Sequence, residues 1–155
     1  MLFEDVCPGC GTPLTGRRGE GKMEPPVRPT VLCIDDDPLV LHFYRAFLES
    51  RGYRVVTAAE GLFGLATATR DRPDVILLDV MLRGLSGFDI CRKLRAEPTL
   101  QTTPIILLTV WDQPSLQNTG RAAGATVTLR KPADPDTILS AIEQVLRDRS
   151  DEPRE

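Results

Sequence analysis

The chain has 155 residues, 41% of them hydrophobic and 26% charged, with a formal net charge of −3. That is enough apolar chain for one domain with a packed core. No basic run offers a nucleic-acid surface, no apolar stretch is long enough to span a bilayer, and the start MLFEDVCPGC lacks the basic and apolar regions of a signal peptide. These features predict a cytoplasmic protein that by itself binds neither nucleic acid nor membrane.

Residues 1–28 are rich in Gly, Pro and charge and have no periodicity, so they read as a flexible tail. Within them, Cys7-Pro8-Gly9-Cys10 has the shape of a zinc knuckle, a tight turn that aims two thiolates at one metal. A structural zinc takes about four ligands. No second CxxC follows, and His42, the only histidine, falls on a predicted helix. The tail therefore reads as a lone knuckle without zinc. A zinc shared through Cys7 and Cys10 with another chain is the alternative, and Met23 is a second candidate start.

Regular patterning begins with the strand Thr30–Ile34, which runs into Asp35-Asp36-Asp37. A helix opens on Pro38, where the missing N–H costs nothing. Val40, Phe43, Tyr44, Phe47 and Leu48 recur at helical spacing as its expected core face, and Gly52 ends it. Tyr53–Thr57 is the second strand. Residues 60–71 form the second helix, with Leu62, Leu65 and Ala66 expected inward. Val75-Ile76-Leu77-Leu78 ends on Asp79, and an unbroken run of branched residues predicts a strand buried on both faces of a parallel sheet. A helix from Ser86 to Arg95 carries Phe88, Cys91 and Leu94. Ile105–Leu108 is the fourth strand, ending at Thr109. Residues 112–123 are a weakly patterned helix interrupted by Gly120. Thr126–Leu129 is the fifth strand, before Arg130-Lys131-Pro132. Asp134 caps a last helix that opens on Pro135, with a core stripe of Ile138, Ala141, Ile142, Val145 and Leu146. Residues 150–155 read as a C-terminal tail. Cys33 and Cys91 sit in apolar segments as small buried hydrophobes. Five strands alternating with five helices predict an α/β fold of three layers, α/β/α, with a five-stranded parallel sheet.

In such a sheet the carboxyl ends of the strands share one edge. Asp35 and Asp36, Asp79, Thr109 and Lys131 all stand at those ends. Clustered acids repel unless a cation neutralises them, and the natural occupant is Mg²⁺, a hard ion that keeps waters free for a phosphoryl group. A carboxylate can then attack phosphorus to form an acyl phosphate. Lys131 can supply a cation and Thr109 a hydrogen-bond donor to the phosphoryl oxygens. Asp79 is the best nucleophile, being alone on the central strand while Asp35 and Asp36 are paired.

These positions make the chain resemble the CheY-like receiver domains of response regulators over about residues 29–149. The acid pair Asp35-Asp36 follows V-L-C-I, and Asp79 lies in I-L-L-D-V-M. Gly87 stands eight residues on, Thr109 follows L-L, and Lys131 precedes Pro132. The resemblance implies a flavodoxin-like (βα)5 fold with strand order 2-1-3-4-5. It also implies phosphoryl transfer from a sensor histidine kinase or phosphotransfer protein to Asp79. Mg²⁺ would be held by Asp36, Asp79 and the Met81 backbone carbonyl, with Asp35 helping through water. The fourth helix, fifth strand and fifth helix would dock an unknown protein target or a second copy. No DNA-binding output domain is expected after the last helix.

Three positions depart from the family pattern. Arg83 replaces the usual proline four residues after Asp79, and Thr128 replaces the switch aromatic of the fifth strand. Val110 and Trp111 follow Thr109, where a small residue is usual. Met81 and Trp111 would flank the path of attacking water, which predicts a long-lived phosphoryl group. Docking of a partner is the competing role for Trp111.

The runner-up is a phosphatase of the haloacid-dehalogenase type, with Asp35 as nucleophile and Asp37 as acid/base. Its metal-binding acid should follow the threonine and lysine, whereas Asp79 precedes both. A flavodoxin is rejected because three aspartates would repel a flavin phosphate, and the complete acid, threonine and lysine set argues against a receiver without chemistry.

Overall fold

The computed structural model describes residues 28–111 and 113–151, so Cys7 and Cys10 lie outside the described part. Five strands, β1 (Thr30–Ile34), β2 (Arg54–Ala58), β3 (Val75–Asp79), β4 (Ile105–Thr109) and β5 (Val127–Arg130), alternate with five helices. The helices are α1 (Pro38–Ser50), α2 (Gly61–Asp71), α3 (Gly87–Ala96), α4 (Ser115–Ala123) and α5 (Pro135–Asp151). Adjacent strands pair in parallel, in the order β2-β1-β3-β4-β5. This is the expected flavodoxin-like arrangement.

β3 is the middle strand, and all five of its residues are buried. Side chains alternate across a strand, so β3 feeds two cores. Ile76 and Leu78 pack with residues of α2, α3 and α4, while Val75 and Leu77 pack with residues of α1 and α5. Burying each such side chain stabilises the fold by about 2 kcal/mol, so this strand has no room for a polar residue before its last position.

One helix buries most of its expected face and another buries a different one. In α1 the expected Tyr44 and Leu48 are buried and Val40 and Phe47 are partly buried against the same core; Leu41 joins them, while Phe43 is 46% exposed. This helix carries more apolar residues than its buried stripe can hold. In α2 the buried residues are Gly61, Gly64, Thr67 and Ala68, and the expected Leu62 and Ala66 are exposed. A Cβ on Gly61 would stand 2.7 Å from Cδ1 of Ile90, and one on Gly64 2.5 Å from Cδ1 of Ile34. The helix lies so close to its neighbours that small residues must face them, and counting large apolar side chains selects the opposite face.

Two helix boundaries shift by two residues or more. α4 begins at Ser115, because Pro114 precedes it and the residue before a proline is disfavoured in helical conformation. Gly124 ends it at φ +103°, a left-handed closure. α5 runs through Asp151, past the expected tail boundary at 150.

Gly87 joins α3 to the end of β3. Its N–H donates to the carbonyl of Val80 at 2.8 Å, and a Cβ there would meet the Asp79 carbonyl and come within 2.7 Å of Cα of Val80. Both obstacles are backbone and cannot rotate away. Gly87→Ala should therefore destabilise the protein by about 2 kcal/mol in urea denaturation; a loss below about 0.5 kcal/mol would show that the α3 junction has slack.

Candidate functional site

Each functional side chain is set by the backbone at a strand end. Beyond β1, the N–H of Asp35 donates to the carbonyl of Ala58 at 3.2 Å, which carries the parallel pairing one residue past the strand. An Asp35 carboxylate oxygen accepts the N–H of Asp37 at 3.0 Å. Asp37 turns outward and caps α1, accepting the N–H of Leu39 at 2.9 Å. The three consecutive aspartates thus divide: Asp35 is buried, Asp36 half-buried, and Asp37 is an exposed helix cap. Asp79 closes β3 opposite Leu108, and Thr109 is the next residue on that neighbouring strand. Thr109 pairs with Arg130, and the N–H of Lys131 donates to the Thr109 carbonyl at 2.6 Å. The Lys131–Pro132 peptide is cis.

Carboxylate oxygens of Asp35, Asp36 and Asp79 lie within 4.8 Å of one another. Asp35 is 2% exposed and Asp79 is 6% exposed. Nζ of Lys131 stands 3.2 Å from Oδ2 of Asp35 and 3.4 Å from Oδ1 of Asp79, spanning the two buried acids. Burial, reinforced by the Asp35 charge, pushes the Asp79 carboxyl above the ordinary aspartate range. The Lys131 ammonium and the Met81 N–H, which donates to Oδ1 of Asp79 at 3.3 Å, pull it back in part. Burial likewise raises the Tyr44 phenol, with the Asp35 charge adding to the effect. Three clustered carboxylates offer the hard oxygen donors that suit Mg²⁺.

The buried Thr109 hydroxyl accepts the N–H of Trp111 at 3.1 Å, which leaves its own proton to donate. Met81, Val110 and Trp111 are between 44% and 52% exposed, on the loops that follow β3 and β4. The sequence marks Arg83 only as a replacement for a loop proline, yet its Nε lies 3.7 Å from Oδ2 of Asp36. Nothing in the local sequence signals that contact, which depends on how the β1–α1 and β3–α3 loops meet.

Residues 31–143 match the response regulator receiver domain family. The chain belongs to that family. It is 36% identical over 116 residues to the protein PilH of Pseudomonas aeruginosa, covering 75% of this chain and 96% of PilH. It is 38% identical over 117 residues to the response regulator PleD of Caulobacter vibrioides, covering 76% of this chain but 26% of PleD. Among solved structures, chemotaxis protein CheY4 of Vibrio cholerae superposes with a TM-score of 0.74 at 35% identity, covering 77% of this chain and 99% of CheY4. A CheY-like receiver domain protein of Methanospirillum hungatei gives 0.77 at 25% identity, covering 82% and 100%. The protein is thus a receiver domain of the two-component response regulators. The comparisons give no support to the haloacid-dehalogenase alternative, and Asp37, its required acid/base, is engaged as a helix cap. No helix among the described residues is long and apolar enough to cross a membrane.

The raised Asp79 carboxyl has a stability consequence. As pH falls, the folded protein takes up this proton before the unfolded chain does, so this group's cost to stability is present above its folded pKa and relieved below it. With divalent metal removed, Asp79→Asn should raise stability by about 1 kcal/mol near pH 7. That gain should shrink as urea denaturation is repeated at pH values falling toward the ordinary aspartate range. A variant less stable than wild type at neutral pH would show that the Lys131 contact outweighs burial and repulsion.

Proposed function

We propose that Asp79 accepts a phosphoryl group from a phosphohistidine of a sensor histidine kinase or phosphotransfer protein, in the cytoplasm, and that the phosphorylated state changes how a partner docks. The observation that carries this reading is the convergence of Asp35, Asp36, Asp79 and Lys131 at one sheet edge. A carboxylate oxygen of Asp79 attacks phosphorus in line as the histidine N–P bond breaks. The electron pair stays on the imidazole nitrogen, which takes up a proton, and the product on this chain is an acyl phosphate.

Asp36, Asp79 and the Met81 carbonyl would hold Mg²⁺, with Asp35 acting through water. The ion, when bound, neutralises charge on the phosphoryl oxygens. Lys131, which spans Asp35 and Asp79, turns its ammonium to one phosphoryl oxygen, and the Thr109 hydroxyl donates to another. Movement of Thr109 would pass to Trp111, whose N–H it accepts.

The route to the docking face differs from an aromatic relay. Thr128 occupies the switch position, and a Cβ on Gly120 of α4 would collide with its hydroxyl. The side-chain amide of Gln117 donates to the Thr128 carbonyl at 3.2 Å. α4 therefore fills the space against β5, which supports displacement of the helix, rather than rotation of a ring, as the motion that reshapes the α4–β5–α5 surface. That surface is the proposed docking site for a downstream protein or a second copy.

Incubation with acetyl phosphate and Mg²⁺ should label the wild type and leave Asp79→Asn unlabelled. Labelling that survives in Asp79→Asn but is lost in Asp35→Asn would favour the phosphatase reading. Met81 and Trp111, half-exposed on the loops after β3 and β4, should also exclude attacking water. Combining Met81→Asn with Trp111→Glu should shorten the phosphoryl lifetime several-fold, whereas equal decay in the two proteins rules out such shielding.

A further inference from the structure

Lys131 compensates two of the three clustered acids, Asp35 and Asp79. The cation beside the third, Asp36, is Arg83, at 3.7 Å. Arg83 lies on the loop between β3 and α3, just before Gly84 at φ +86°. Its side chain is 92% exposed, so packing does little to hold it and the Asp36 carboxylate is what orients it. Asp36 and Arg83 also line one cleft of about 440 Å³, together with Glu60, Gly61, Leu62 and Leu85. The guanidinium has open space beside Asp36, and a second carboxylate, Glu60, on the wall of that space.

A divalent ion bound to Asp36 needs oxygen lone pairs that Arg83 faces, and it places a like charge beside the guanidinium. The two cations cannot share the carboxylate without repulsion. We propose that Arg83 is a positioning residue that acts through Asp36: it neutralises that carboxylate while no metal is bound, competes with the divalent cation for it, and swings into the adjoining cleft when the cation binds. This rests on the reading of the acid cluster as the Mg²⁺ site. Arg83 is thereby a brake on metal loading, and the chain's departure from a proline at this position acquires a function. An exposed pair of this length is weak, so the brake is modest.

The test is isothermal titration of Mg²⁺ into the unphosphorylated full chain, comparing wild type with Arg83→Gln, Arg83→Lys and Arg92→Gln. Arg92 is paired with Asp89 in an exposed contact on α3 and controls for net charge. Arg83→Gln should bind Mg²⁺ about threefold more tightly than wild type. Arg83→Lys should restore most of the wild-type affinity, and Arg92→Gln should leave it unchanged. In NMR spectra of the wild type, the Arg83 Nε–H resonance should shift as Mg²⁺ saturates, and the corresponding Arg92 resonance should not. Equal affinities for wild type and Arg83→Gln, an equal gain in Arg92→Gln, or an Arg83 Nε–H resonance that Mg²⁺ leaves unmoved overturns the brake while leaving the Mg²⁺ site intact. No binding to the wild type overturns both.

Discussion

Three carboxylates held within 4.8 Å of one another at the edge of a buried strand set the terms for everything around them. Such a cluster is unfavourable by itself: burial raises the Asp79 carboxyl, and the neighbouring Asp35 charge raises it further. The fold carries that cost by tying each acid to something rigid or cationic. Asp35 accepts the Asp37 N–H, Asp79 accepts the Met81 N–H, Lys131 spans Asp35 and Asp79, and Arg83 stands by Asp36. The surplus of negative charge and of oxygen donors suits the edge to a divalent cation, and without a cation the same carboxylates would repel a phosphoryl group.

The sheet makes that arrangement affordable. β3 is buried along its whole length and packs into both cores, so Asp79 is mounted on a tightly constrained strand. Lys131 is delivered from the far edge strand, and its backbone N–H to the Thr109 carbonyl keeps β5 in register with β4 at the height of the site. Gly87 lets α3 begin against the end of β3 without a Cβ in the way. The buried strand ends contrast with the loops after β3 and β4, where Met81, Arg83, Val110 and Trp111 are exposed beside the pocket.

The α4–β5 contact shows a comparable logic at a distance from the charges. Gly120 and Thr128 are both small, and each permits the other: helix and strand approach until a Cβ on the glycine would strike the threonine hydroxyl. Arg95 braces the following turn, its guanidinium donating to the carbonyls of Gly124, Leu100 and Thr103. The closeness of this contact leaves no slack between α4 and β5 at Thr128.

Much of this was legible in the sequence. Alternation of apolar runs and helical stripes determined the α/β class, because burial on a parallel sheet demands unbroken apolar strands. The acids, threonine and lysine were identifiable because such residues seldom follow greasy strands together unless the strand ends meet. Which face of α2 is buried was not legible: Gly61 and Gly64 face inward because Ile90 and Ile34 already fill the space, and those neighbours come from distant parts of the chain. Nor was the pairing of Arg83 with Asp36, a contact across 47 residues of sequence made by two loops that meet only after the sheet has assembled. Local pattern thus determined the elements and the chemical types at their ends. Tertiary structure alone decided which small residues let helices close in, and which cation stands beside which acid, because both depend on distances between segments that no local periodicity records.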